Sequence, residues 1–189
     1  MADRVNIAKG GNKWLTAAWT AGTAIILLTP LIAMQFTSEV NWTVSDFVFA
    51  GLILLGAGIT YELAARSGGF AYQAGAVVAL GVGILTLWVT GAVGIIGSEE
   101  NPGNLLYLGV VALAIAGAIL SGGRSARMQW AMALTAFANL LVPVFAFNGV
   151  ANPASDVIAP EVFIATAVLT AGWALSAFFF RRASRHAGA

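Results

Sequence analysis

The sequence has no cysteine and one histidine, His186, so disulfide scaffolds, thiol catalysis and Cys/His metal centres are excluded. Charge is nearly as scarce. Nine basic and eight acidic side chains make up 9% of 189 residues, against about 25% in soluble domains. With 59% hydrophobic residues and a mean hydropathy of +0.87, there is too little polar surface to face water on all sides. The chain must face lipid.

Other absences narrow the function. The hydrophobic runs hold no lysine, which excludes a retinal Schiff base, and no histidine, which excludes bis-histidine haem and Ser/His proteolysis. They contain no aspartate pair for an aspartyl protease, no phosphate-binding Gly-rich motif with its lysine, and no arginine ladder for voltage sensing. A nucleic-acid partner would need far more basic surface. The chain reads as a non-enzyme without cofactor or metal.

What is present is apolar and long. A helix crosses about 30 Å of hydrocarbon with about 20 residues. Six runs reach or approach that length: 14–36, 44–65, 71–97, 105–120, 128–149 and 161–180. They lack the period-2 alternation of a membrane barrel. The expected fold is all-α, a single transmembrane domain over 1–189. It is arranged as three consecutive hairpins (14–65, 71–120 and 128–180) with a basic cytoplasmic tail at 181–189. The first run exceeds the 7–15 residues of a signal-peptide core and reads as a retained span.

The charges sort by side. Arg4, Lys9, Lys13, Arg66, Arg124, Arg127, Arg181, Arg182 and Arg185 all fall on one side of this topology. The other side holds Glu39, Asp46, Glu99, Glu100, Asp156 and Glu161, leaving Asp3 and Glu62 with the basic group. The positive-inside rule then places both termini in the cytoplasm.

A weak repeat relates the first and fifth runs. Pro30 and Pro143 are each followed five residues later by an amide, Gln35 and Asn148. Further on come Ser45-Asp46 and Ser155-Asp156, 110 residues apart. Thr29 is positioned to bond back to the helix that Pro30 interrupts. Asn41, Ser45 and Ser155 are N-cap candidates. Gly75, Ala79 and Gly83 form a small-residue stripe suited to internal packing, or to a homo-oligomer or membrane partner. Trp14, Trp42, Tyr107 and Trp130 near run ends read as interface anchors.

Polar groups inside hydrocarbon are expensive, so each is a site hypothesis. Glu62 lies four residues before Arg66, an interfacial ion pair or a carboxylate that handles a proton or cation. Asn139, near the middle of the fifth run, joins helices or contacts a ligand. Trp88, Gln35 and Asn148, with Thr86, Thr90 and Thr135, could line a small polar cavity. The loop with Glu99, Glu100, Asn101 and Asn104 gathers oxygens but matches no calcium-loop spacing.

Two segments carry a resemblance. Tyr61-Glu62-Leu63-Ala64-Ala65-Arg66 and Ala92-Val93-Gly94-Ile95-Ile96-Gly97-Ser98-Glu99-Glu100-Asn101-Pro102-Gly103-Asn104 are similar to an uncharacterised family of small six-span bacterial inner-membrane proteins. The resemblance implies a multi-pass protein of the bacterial cytoplasmic membrane and no particular activity. Together with the polar residues, it leads to the expectation of a non-enzymatic protein that binds or moves a small molecule or cation. The alternative is a structural or assembly subunit of a membrane complex.

Overall fold

The computed structural model describes residues 13–67, 69–150 and 160–186, with side chains described from 16–62, 69–148 and 160–185. Asp3, Arg4, Lys9, Pro153, Ser155 and Asp156 lie outside the described residues, as do the side chains of Lys13, Trp14, Arg66 and His186. The described chain is all-helical, and each of its six α-helices is long and apolar enough to cross a membrane. They are α1 (Lys13–Ala33), α2 (Val44–Ser67), α3 (Phe70–Ala92), α4 (Leu105–Ser121), α5 (Ser125–Phe145) and α6 (Pro160–His186).

The helices fall into two compact units, Met1–Arg66 and Ser67–Ala189. The first is the hairpin α1–α2. Its second helix starts on a cap other than the expected Asn41 or Ser45. Thr43 accepts from the Asp46 amide at 3.4 Å, while the Asp46 carboxylate takes the Thr43 amide at 2.7 Å and its hydroxyl at 2.8 Å. That reciprocal arrangement is a capping box, with the acid near the positive end of the helix.

The second unit is an antiparallel four-helix bundle, in which the second and third expected hairpins pack against each other. Its helices close a ring in the order α3, α4, α5, α6, with α5–α6 and α3–α6 the most extensive contacts and α3–α4 the thinnest. Small residues set these approaches. The Phe180 ring packs tightly on Gly75, 3.1 Å from where a Cβ would stand, Trp173 covers Gly83, and the backbone of α4 at Gly117 closes on Ala131. Ser176 donates to the Gly75 carbonyl at 2.8 Å. The glycines of the α3 stripe are thus taken up by α6 of the same chain.

Polarity in this unit runs opposite to that of a soluble bundle. Ile115, Ile119, Leu120, Leu134, Leu140 and Ile164 are more than half exposed. Thr86, Thr135, Asn139 and Ser176 are completely buried. Contiguous apolar exposure on that scale suits lipid and not water.

Proline shapes two helix ends alike. α1 ends three residues after Pro30, and α5 ends two after Pro143, passing into one turn of π-helix, Ala146–Val150. Gln35 donates to the Leu31 carbonyl at 3.5 Å and Asn148 to the Val144 carbonyl at 2.6 Å. In both cases an amide five residues after the proline covers the carbonyl one residue after it, an acceptor that the helix end orphans. Thr29 bonds back to the Ile25 carbonyl at 2.9 Å, one residue short of the carbonyl that Pro30 leaves open.

Two boundaries differ from expectation. α3 stops at Ala92 because Gly94 and Gly97 turn the chain with φ of 79° and 65°. α6 continues through Arg181, Arg182 and Arg185, so these arginines stand on its last turns and not in a tail. Cations at a helix C-terminus offset the negative end of the dipole.

Candidate functional site

The buried polar side chains of the four-helix unit gather in one zone of its interior. The antiparallel register is set by three pairs: Gly75 with Ser176, Gly83 with Trp173, and Asn139 with Thr166 and Thr170. That register places Thr86 and Thr90 of α3, Tyr107 of α4, Asn139 of α5 and Thr166 of α6 towards one level of the interior, with Thr135 of α5 and Trp173 of α6 further along it. All seven are buried. They come from all four helices, and none carries a charge at neutral pH.

Asn139 is the centre of the layer. Its Nδ2 donates to the Thr166 carbonyl at 3.2 Å and to the Thr170 hydroxyl at 2.8 Å. Because the Thr166 carbonyl has to face a donor, the amide orientation is fixed by its partners. Across the bundle, Tyr107 and Thr166 share a hydrogen bond of 2.6 Å. The Thr166 proton goes to the Val162 carbonyl at 2.7 Å, so the Tyr107 phenol is the donor. Thr86 and Thr135 spend their hydroxyl protons on carbonyls four residues back, at 2.7 and 2.9 Å.

Three buried atoms among the described residues have no hydrogen-bond partner: Asn139 Oδ1, Thr90 Oγ1 and Trp173 Nε1. All three lie in the interior of the four-helix unit. Leaving a buried polar atom unpaired costs roughly 1–3 kcal/mol. Together they offer an acceptor, a hydroxyl and an N–H donor.

The expected site residues divide accordingly. Asn139, Thr86, Thr90 and Thr135 all lie in the layer. Trp88 does not: it is 62% exposed and turned from the interior. Gln35 and Asn148 are exposed and spend their amides on their own helices. Tyr107, expected as an interface anchor, is instead fully buried. Its closeness to the helix start was misleading because the side chain turns inward to Thr166 of α6.

That loop is the expected acidic segment, and its amides hold it together. Asn104 Oδ1 accepts from both Ile95 and Ile96 amides at 2.9 Å, and Nδ2 donates to the Ser98 carbonyl at 2.8 Å. Asn101 accepts from Gly103 at 2.8 Å. The result buries Ile96 completely, while Glu99 and Glu100 stay exposed. Gly94 sits so close to the Ser98 carbonyl group that a Cβ would meet it at 2.5 Å. No group of three acidic, histidine or cysteine residues placed to hold a metal occurs among the described residues.

Glu62 belongs to the other unit. Its carboxylate accepts from the Thr16 hydroxyl at 2.9 Å and from the Trp19 indole at 3.2 Å, tying α2 to α1. The Trp19 ring lies flat over Gly58, with no room for a methyl group. Sequence reasoning missed both partners, which are 46 and 43 residues away. It also missed Thr166 and Thr170, whose only signal is their helical spacing on α6.

No family model, curated protein or solved structure matches the chain.

Proposed function

We propose that the chain is a non-enzymatic membrane protein whose four-helix unit binds a small, uncharged, hydrogen-bonding molecule in its polar layer. The observation that carries this reading is that the interior of the four-helix unit holds three buried polar atoms without partners, Asn139 Oδ1, Thr90 Oγ1 and Trp173 Nε1. A ligand with a donor for the Asn139 amide oxygen and an acceptor for the Thr90 hydroxyl would satisfy the two that lie nearest one level. The absence of a carboxylate or base from the layer favours an uncharged molecule over a cation, since a buried charge without a counter-charge is costly. Native mass spectrometry of the full chain released directly from membranes tests this. Wild type should emerge with a small non-lipid mass that Asn139→Leu loses. A wild type that carries no such mass, with Asn139→Leu indistinguishable from it, would sink the reading.

The orientation belongs to the same proposal. In the four-helix unit Arg124, Arg127, Arg181, Arg182 and Arg185 stand at one end, and Glu99, Glu100 and Glu161 at the other. This supports a multi-pass protein of the bacterial cytoplasmic membrane with the arginine end inside, in keeping with the resemblance of its 61–66 and 92–104 segments. The natural absence of cysteine makes the test clean. A membrane-impermeant maleimide should label Glu99→Cys in intact cells and leave Ala126→Cys unlabelled until the membrane is opened. The reverse pattern would invert the topology.

A further inference from the structure

We infer that the groove between α5 and α6 is a binding site for an anionic glycerophospholipid. The groove encloses about 690 Å³, within the roughly 300–1,000 Å³ of small-molecule sites. Its floor is Ala133 and Ala136 of α5 with Ala174 and Ala177 of α6, where short side chains leave a furrow between the helices. Trp130 and Phe178 stand beside it as walls, 72% and 56% exposed.

At one end the lining changes to Arg181 and Arg185, one helical turn apart, with Gln129 facing them from α5. The carboxylates described in this unit, Glu99, Glu100 and Glu161, belong to the opposite end of the bundle. Both arginines are exposed, and both stand on the last turns of α6. Ser184, also in the lining, gives its proton to the Arg181 carbonyl at 2.8 Å, which leaves the guanidinium groups, Gln129 and the Trp130 indole as the side-chain donors.

An apolar furrow that ends on two guanidinium groups is complementary to one kind of molecule, an acyl chain ending in a phosphodiester. Arginine's fork of N–H donors pairs with two phosphate oxygens at once. Basic pockets between helices at a membrane boundary select anionic headgroups for this reason. Arg182 supplies an internal control. It carries the same charge on the same turn but does not line the groove.

The full chain in detergent, delipidated and titrated with phosphatidylglycerol or phosphatidylcholine under native mass spectrometry, tests the assignment. Phosphatidylglycerol should bind more tightly than phosphatidylcholine, and inorganic phosphate should not displace it. Arg181→Gln and Arg185→Gln should each weaken it about tenfold. Arg182→Gln should change it less than about twofold, and Ala174→Leu, which fills the furrow at an exposed position, should weaken both lipids. All four substituted positions are exposed, so the variants should retain the wild-type melting temperature. Equal losses in Arg182→Gln and Arg181→Gln would mean diffuse charge attraction and overturn the site. So would equal affinity for the two lipids, displacement by inorganic phosphate, or an Ala174→Leu variant that loses a dimer and no lipid.

Discussion

At the scale of single residues, three polar side chains illustrate three uses of a hydrogen bond away from water. Asn104 spends its whole amide on its own loop, Glu62 joins two helices, and Asn139 joins two helices with one acceptor left over. The Glu62 clamp depends on Gly58, because the Trp19 ring occupies the place of a side chain there. Gly58→Ala should push the indole off Glu62 and lower the melting temperature, costing about 1–3 kcal/mol. Gly56→Ala, at a position with open space, should leave the temperature unchanged or slightly raised. A thermal-shift series in detergent checks both, and equal behaviour of the two variants would refute the clamp. At this scale the sequence was legible where a side chain acts locally. The Thr43–Asp46 capping box was readable from its spacing and was passed over for neighbouring Asn41 and Ser45. The partners of Glu62 were not readable, because nothing in the chain order links residue 62 to residues 16 and 19.

At the scale of helices, hydrophobic length was sufficient to place all six, with ends within a few residues except where glycine or arginine intervened. Composition alone could not show that Gly94 and Gly97 end α3 early by taking positive φ, nor that the arginines after Phe180 continue the helix. The Pro30 and Pro143 segments share more than a letter pattern: in each, the amide five residues on covers the same relative carbonyl. The small-residue stripe on α3 was correctly legible as a packing face, and α6 is its occupant within the chain. Periodicity identified the face; which helix would cover it was set by the tertiary register, fixed by Ser176 on Gly75 and Trp173 on Gly83.

At the scale of the whole molecule, scarcity of charge becomes an arrangement. In the four-helix unit the charges stand at opposite ends by sign, the apolar side chains face outward, and the interior carries a neutral polar layer. Hydropathy made the first two properties legible. The layer was half legible, since Asn139 and the threonines were suspected from depth along their spans. Trp88 shares that depth and faces the other way, while Tyr107, near a helix start, turns inward and is buried against Thr166 of α6. Depth along a span therefore does not determine facing. The groove between α5 and α6 was not legible at all, because its two sides are separate helices whose alanines appear unremarkable until they meet.

The central claim is that the polar layer is occupied, and Thr90→Val tests it most directly. Valine keeps the shape of threonine and removes one buried hydroxyl that has no partner within the chain. If a molecule hydrogen-bonds there, the melting temperature measured in native membranes should fall, because its contact with the protein is lost. If the layer is dry, removing an unpaired buried hydroxyl should stabilise the fold by about 1–3 kcal/mol, and a raised melting temperature would contradict the account.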